Sequence, residues 1–195
     1  MRALVVCSHP VEGSFSSALR DAAVRGLGSA GHRVDLIDLA ARDFDPVMPK
    51  SEWESYMAKS GQVPPELADD VELVRAAEIM VFVYPTWWSA APAQLKGWIE
   101  RVFVPSVAFA LNEKKSVAPA LENLRRIVTV TTFGSPRAYT MLMNDNGSRL
   151  LRRTLRLVAV RRARTTRLAM FRMDRSTDES RRKFLARVEK KMASL

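Results

Sequence analysis

The chain has 195 residues, 47% apolar and 27% charged, a composition that fits one globular domain over residues 1–195 and excludes a disordered or fibrous chain. A single cysteine, Cys7, rules out an intrachain disulfide, and with only His9 and His32 besides, no metal centre is expected. No apolar run approaches the ~20 residues of a membrane span, and the N-terminal run is too short for the core of a signal peptide, so a cytoplasmic protein without a membrane span is expected.

In chain order, Ala3 to Ser8 is a continuous apolar run bounded by turn residues, the pattern of a buried parallel strand. Cys7 within it reads as a small buried hydrophobe rather than a nucleophile. Residues 14–31 follow as a helix: Ser14 can cap it, Leu19, Ala22, Ala23 and Leu27 recur at helical spacing, and Gly31 stops it. Residues 32–39 alternate in polarity and predict a second strand. An irregular stretch from Ala40 to Pro65 holds four prolines and a short helical candidate at 50–59. The pattern then gives a helix over 66–78, a strand over 79–85, and a helix over 92–103 with Pro92 in its first turn. A β-branched strand over 125–134, a helix over 146–159, a short strand over 165–171 and a terminal helix over 176–193 complete the chain. Ser176 and Glu179 form a capping-box pattern at the start of that last helix.

The formal net charge of +10 is concentrated late: nine arginines and no acidic residue lie between Asp145 and Asp174. Arg149, Arg152, Arg153 and Arg156 are spaced to share one helix face. A solvated face, an anionic cofactor or substrate, and nucleic acid are the open readings, in that order.

Five strands each followed by a helix predict an α/β fold whose parallel sheet is covered on both faces, with ligands bound beyond the carboxyl ends of the strands where strand order reverses. Three loops should meet there: 8–16, 84–92 and 132–145. The first sets Ser8, His9, Ser14 and Ser16 around a helix N-terminus suited to a phosphate, or else Ser14 merely caps the helix. It lacks G-x-G-x-x-G, which disfavours a nicotinamide bound in Rossmann fashion. The second holds Trp87 and Trp88 side by side; both cannot face inward from an extended turn, so at least one should line the crevice and pack on a flat ligand. The third is rich in Thr, Gly, Ser and Pro and brings in the phenol of Tyr139.

The stretches "ALVVCSHPVEGSFSSAL", "YPTWWSAAPAQLKGWIERVF" and "TTFGSPRAY" resemble the NAD(P)H:quinone oxidoreductases of flavodoxin-like fold, the DT-diaphorase group with its shorter bacterial flavin reductase relatives. The resemblance implies a flavodoxin-like, doubly wound five-stranded parallel sheet with helices on both faces. It further implies a bound flavin (FAD or FMN), NADPH or NADH as reductant, a quinone or similar small aromatic acceptor, and a homodimer, with the helix holding Trp98 as candidate interface. It assigns His9, Ser14, Phe15 and Ser16 to a phosphate loop, and Pro85, Thr86, Trp87 and Trp88 to the turn whose backbone meets the isoalloxazine. Thr131, Thr132, Phe133 and Gly134 fall on the pyrimidine side of the ring, and Tyr139 falls where the family has a tyrosine implicated in charge relay during hydride transfer. Asp145 stands where the family's relay histidine would lie and is the second catalytic candidate; Ser89 and Phe133 also depart from the family, which often has phenylalanine and glycine there. The competing reading is a flavodoxin-like regulatory or ancillary protein that docks an acidic partner through the arginine-rich segment 149–172.

Overall fold

The computed structural model describes residues 1–58, 63–111 and 117–195. Five strands, β1 (Arg2–Cys7), β2 (Arg33–Asp38), β3 (Ile79–Pro85), β6 (Arg126–Thr132) and β7 (Arg164–Met170), form an all-parallel sheet in the order β2-β1-β3-β6-β7. A small antiparallel pair, β4 (Phe109–Leu111) and β5 (Val117–Pro119), stands apart from it. The helices are α1 (Phe15–Ser29), α2 (Lys50–Met57), α3 (Ala68–Ala76), α4 (Ala93–Val102), α5 (Arg137–Leu142), α6 (Asn146–Arg149), α7 (Leu155–Val158) and α8 (Asp178–Ala193).

The strand period of two sorts one apolar sequence into two cores. Ala3, Val5 and Cys7 of β1 and Ile79, Val81 and Val83 of β3 pack under α1 and α8, against Leu19, Ala22, Leu27, Phe184 and Val188. Leu4, Val6, Met80, Phe82 and Tyr84 point the other way, into a core closed by Val74, Leu95, Trp98, Val102, Leu151 and Leu155. Both faces of the sheet are therefore dry, which is why these strands read as unbroken apolar runs.

The irregular stretch before α3 is tied down by charge. Arg42 Nη1 lies 2.6 Å from Asp70 Oδ1, and the indole N–H of Trp98 donates to Asp70 Oδ2 at 2.7 Å. Arg101 donates through Nε to Glu52 at 3.0 Å and through Nη1 to the Asp45 carbonyl at 2.7 Å. Trp98 thus points into the core, and any interface on α4 has to use its opposite face.

Several elements differ from expectation. The helix expected over 146–159 is divided into α6, a wide π turn at Leu150–Thr154, and α7. The cap of α8 is Thr177, whose hydroxyl accepts from the N–H of Ser180 at 3.2 Å, and not Ser176, whose hydroxyl donates to the Met173 carbonyl and accepts from Arg181 Nε. Lys59, the end of the helix expected at 50–59, lies outside the described residues. Helix α5 occupies what reads in sequence as loop.

Candidate active site

The strand order reverses between β1 and β3, and the loops after β1, β3 and β6 meet at that carboxyl edge. After β1, Ser14 caps α1: its hydroxyl accepts from the Ser17 N–H at 3.2 Å. That capping role is the alternative the sequence left open. Among the described residues the N–H groups of Phe15 and Ser16 then have no partner at the positive end of a 15-residue helix, the ordinary setting for a phosphate oxygen. His9 folds its ring onto its own loop, with Nδ1 3.1 Å from the Val11 N–H, and faces the Trp87 ring at a centroid distance of 6.2 Å.

The loop after β3 is a tight two-residue turn. Trp87 and Ala90 exchange backbone hydrogen bonds at 3.1 and 2.9 Å, and the residues between them, Trp88 (φ 47°) and Ser89 (φ 60°), are both left-handed. Such a turn ordinarily takes Asn-Gly or Gly-Gly; two side-chain-bearing residues, one of them tryptophan, cost roughly 1 kcal/mol or more each. The strain is held in place from outside. The Asn146 N–H donates to the Ser89 carbonyl at 3.2 Å, and Gly147 lies so close to Ala91 that a Cβ there would come within 2.6 Å of its backbone nitrogen. In return the Trp88 ring stands fully in solvent, the Trp87 ring is about half exposed, and the N–H groups of Trp88 and Ser89 are unpaired. Neither tryptophan is a core residue, which goes beyond the expectation that at least one would line the crevice.

The floor is made by Thr86 and the end of β6. The Thr86 N–H donates to the Thr132 carbonyl at 2.9 Å, and the hydroxyls of Thr86 and Thr131 are 2.8 Å apart. Pro85, Thr131 and Thr132 are buried, so they shape the floor from beneath. Phe133 differs from what the resemblance implies: its N–H is used by the Met170 carbonyl at 2.8 Å, and its ring is buried in a stack on Phe171 at 5.2 Å. Gly134 stays open, its Cα against the Asp174 carboxylate.

A cleft of about 190 Å³ lies between these loops, lined by Thr86, Trp88, Phe133, Gly134, Tyr139 and Asp145 among others. Tyr139 extends into it from α5, about half exposed. Asp145, itself left-handed (φ 43°), is buried with both oxygens engaged: Oδ2 lies 2.7 Å from Arg167 Nη2, and Oδ1 accepts from the Ser148 N–H at 3.4 Å as the cap of α6. Burial pushes its carboxyl above the ordinary range despite the opposing pull of Arg167. The structure thus brings the loops after β3 and β6, Tyr139 and Asp145 to one cleft; His9, Ser14, Phe15 and Ser16 are not part of its lining and stand on the β1 side, joined to the β3 turn by the His9–Trp87 ring contact. Sequence reasoning missed Arg167, a strand residue that reaches this site over the Phe133–Phe171 stack at 5.4 Å from each ring.

A five-stranded parallel sheet with helices around it and a cleft at the carboxyl edge defines a doubly wound α/β protein. The chain belongs to the flavodoxin-like fold family, whose profile matches residues 1–192. It is 30% identical over 155 residues to NAD(P)H dehydrogenase [quinone] 1 of Cavia porcellus, a match covering 72% of this chain and 56% of that one. It is 27% identical over 165 residues to the human ribosyldihydronicotinamide dehydrogenase [quinone], covering 76% and 70%. The chain thus spans little more than half the length of the guinea-pig relative. Among solved structures, the Streptococcus mutans protein Smu.1420 superposes with a TM-score of 0.87 at 26% identity over 100% of both chains. An NAD(P)H:quinone oxidoreductase from Methanothermobacter marburgensis, at 21% identity and TM-score 0.81 over 100% of this chain and 95% of that one, shares the fold.

Proposed function

We propose that the chain is a flavin-dependent NAD(P)H oxidoreductase that passes two electrons from the reductant to a quinone or similar aromatic acceptor. The observation that carries this reading is the strained Trp88–Ser89 turn, which spends stability to hold an aromatic ring and two unpaired N–H donors at the rim of the switch-point cleft. The names of the Cavia porcellus and human relatives agree with it.

The residues present fit a flavin. Phe15 and Ser16, held by the Ser14 cap, offer two N–H groups to a phosphate that FMN and FAD both carry. Among the described residues the N–H groups of Trp88 and Ser89 are the free donors of the turn, offered to a heterocycle edge, while those of Thr86 and Trp87 are used by Thr132 and Ala90. A flavin there supplies the two-electron chemistry, hydride accepted from a nicotinamide and returned to an acceptor. The chain supplies the electrostatics: Tyr139 Oη holds a proton that it can donate to negative charge developing in the cleft, and Asp145 fixes α6 and Arg167 beside it. We assign Asp145 a positioning role, because both its oxygens are taken.

We further propose a homodimer formed over the groove of about 500 Å³ beside α2, where Trp53 and Tyr56 are exposed. No described helix is long and apolar enough to cross a membrane, and a cytoplasmic address fits a chain whose one cysteine is a buried thiol.

The test is an absorption spectrum of the purified protein after mixing with FMN or FAD and gel filtration, followed by anaerobic addition of NADH or NADPH. Retained flavin that bleaches on addition is the expected result. Loss of both flavins on the column overturns the reading.

A further inference from the structure

Beside the cleft, sharing Thr140 and Asp145 with it, lies a second cavity of about 250 Å³. Five guanidinium groups line it, Arg137 from α5, Arg149, Arg152 and Arg153 from α6 and the π turn, and Arg167 from β7, against the one carboxylate of Asp145. Arg156, expected on the same face, is absent from the lining.

The charges are not balanced from within. Among the described residues Arg137, Arg149 and Arg153 meet no carboxylate at ion-pair distance, and Arg152 donates through Nε to the hydroxyl of Ser148 at 2.9 Å. Arg167 lies 2.7 Å from Asp145, but at an angle too bent for a hydrogen bond, and its buried Nε has no partner. The ion pair therefore holds Arg167 in place while leaving donor capacity on its guanidinium. Arg152 is easier to deprotonate than an ordinary arginine, through burial first and the nearby Arg167 second. Arg149, Arg152 and Arg167 are part-buried and Arg137 and Arg153 are exposed; like charges converging on one concavity repel one another, and a multiply charged anion that joins them relieves the repulsion.

We propose that this arginine pocket is an anion subsite that takes a phosphate group of the pyridine nucleotide whose nicotinamide end uses the adjoining cleft. Guanidinium forks match phosphate oxygens two at a time. Five guanidiniums facing one carboxylate call for more than a single negative charge. The pocket is concave and joined to the cleft, whereas a duplex would need an extended basic stripe, and Arg156, Arg161, Arg162 and Arg164 lie off the lining. The identity of the nucleotide rests on the oxidoreductase reading; the subsite itself does not.

The experiment uses flavin-free full-length protein and calorimetric titration with adenosine 2′,5′-bisphosphate, ADP and inorganic phosphate. The wild type is compared with Arg149→Gln/Arg153→Gln and with Arg156→Gln/Arg161→Gln, which removes the same charge off the pocket. The wild type should bind one equivalent of a nucleotide. The pocket variant should weaken it about tenfold per arginine, the ratio equivalent to about 1.4 kcal/mol, and the off-pocket variant should leave it within about twofold. Preference for the bisphosphate over ADP identifies the 2′-phosphate as the group held, preference for ADP identifies the pyrophosphate, and equal binding identifies the 5′-phosphate common to both; each of these outcomes sustains the subsite. No binding by the wild type, equal binding by all three proteins, or a loss seen only with duplex DNA overturns it. Because no flavin is present, phosphate binding by a protein that fails to retain flavin leaves the subsite standing while the oxidoreductase reading falls.

Discussion

A residue in this chain is informative where its local rule is broken. Trp88 and Ser89 occupy positions that suit glycine, and nothing in the sequence but their adjacency announced it; positive φ leaves no periodic trace. Trp88→Ala should lower flavin affinity by about 1–3 kcal/mol, the scale of a lost stacked ring and its area, read by fluorescence titration; unchanged affinity would detach the ring from the cofactor. Tyr139→Phe removes one positioned donor and should slow flavin reduction by on the order of 10²-fold or less in stopped flow. A rate equal to wild type would take Tyr139 off the catalytic list. Cys7 is the opposite case, a residue whose reading from sequence the structure upholds. Burial first, then Asp38, pushes its thiol up from 9.0 to about 12. The native chain should therefore resist thiol alkylation at neutral pH. Below pH 9.0 the thiol is protonated in both folded and unfolded chains and its contribution is fully present. From there to about 12 the unfolded chain alone loses the proton, so stability falls with rising pH. The difference between wild type and Cys7→Ala in urea melts isolates that slope.

At the scale of elements, legibility followed burial. The strands β1, β3 and β6 were readable as continuous runs of apolar and β-branched residues because they are buried along their length, whereas the edge strands β2 and β7 are part-exposed and carry polar residues; the register that aligns Cys7 with Val83 and Pro85 with Thr132 brings the three loops level. The strands β4 and β5, three residues each, are too short for a period to show. Helix α5 hid in a loop composition, and the π turn hid because hydrogen bonding, not side-chain pattern, defines it; Leu151 and Leu155 stay on the inward face through it. Asp70 shows how elements are locked together: it accepts from Trp98 of α4 and pairs with Arg42 of the preceding loop. Trp98→Phe keeps most of the apolar volume but leaves a buried carboxylate oxygen without its donor, which should cost about 1–3 kcal/mol in urea unfolding. A loss of a few tenths would mean that water or Arg42 takes over the bond.

For the whole molecule the question is what an excess of ten positive charges does. The sequence located the arginines but not their purpose, because a helix face and a pocket wall have the same spacing in one dimension. The fold brings Arg167 from β7 and Arg137 from α5 to the arginines of α6 and the π turn, in a cavity next to the cleft. A field of that sign at the entrance raises the local concentration of a polyanionic nucleotide and speeds its encounter. Salt near physiological strength shortens the screening length to about 8 Å, and stronger salt shortens it further, so the advantage should shrink as salt is added. On the proposed oxidoreductase reading, an uncharged quinone would enter the same cleft without that help. Apparent affinity for NADPH should therefore fall with salt more steeply than affinity for an uncharged acceptor, in steady-state assays from low to high ionic strength. Neutralising Arg149 and Arg153 should flatten the NADPH slope and leave the acceptor slope alone. Equal slopes for charged and uncharged substrates, with retention on an acidic protein or on DNA that salt abolishes, would shift the arginines to the docking role and leave the cleft without electrostatic steering.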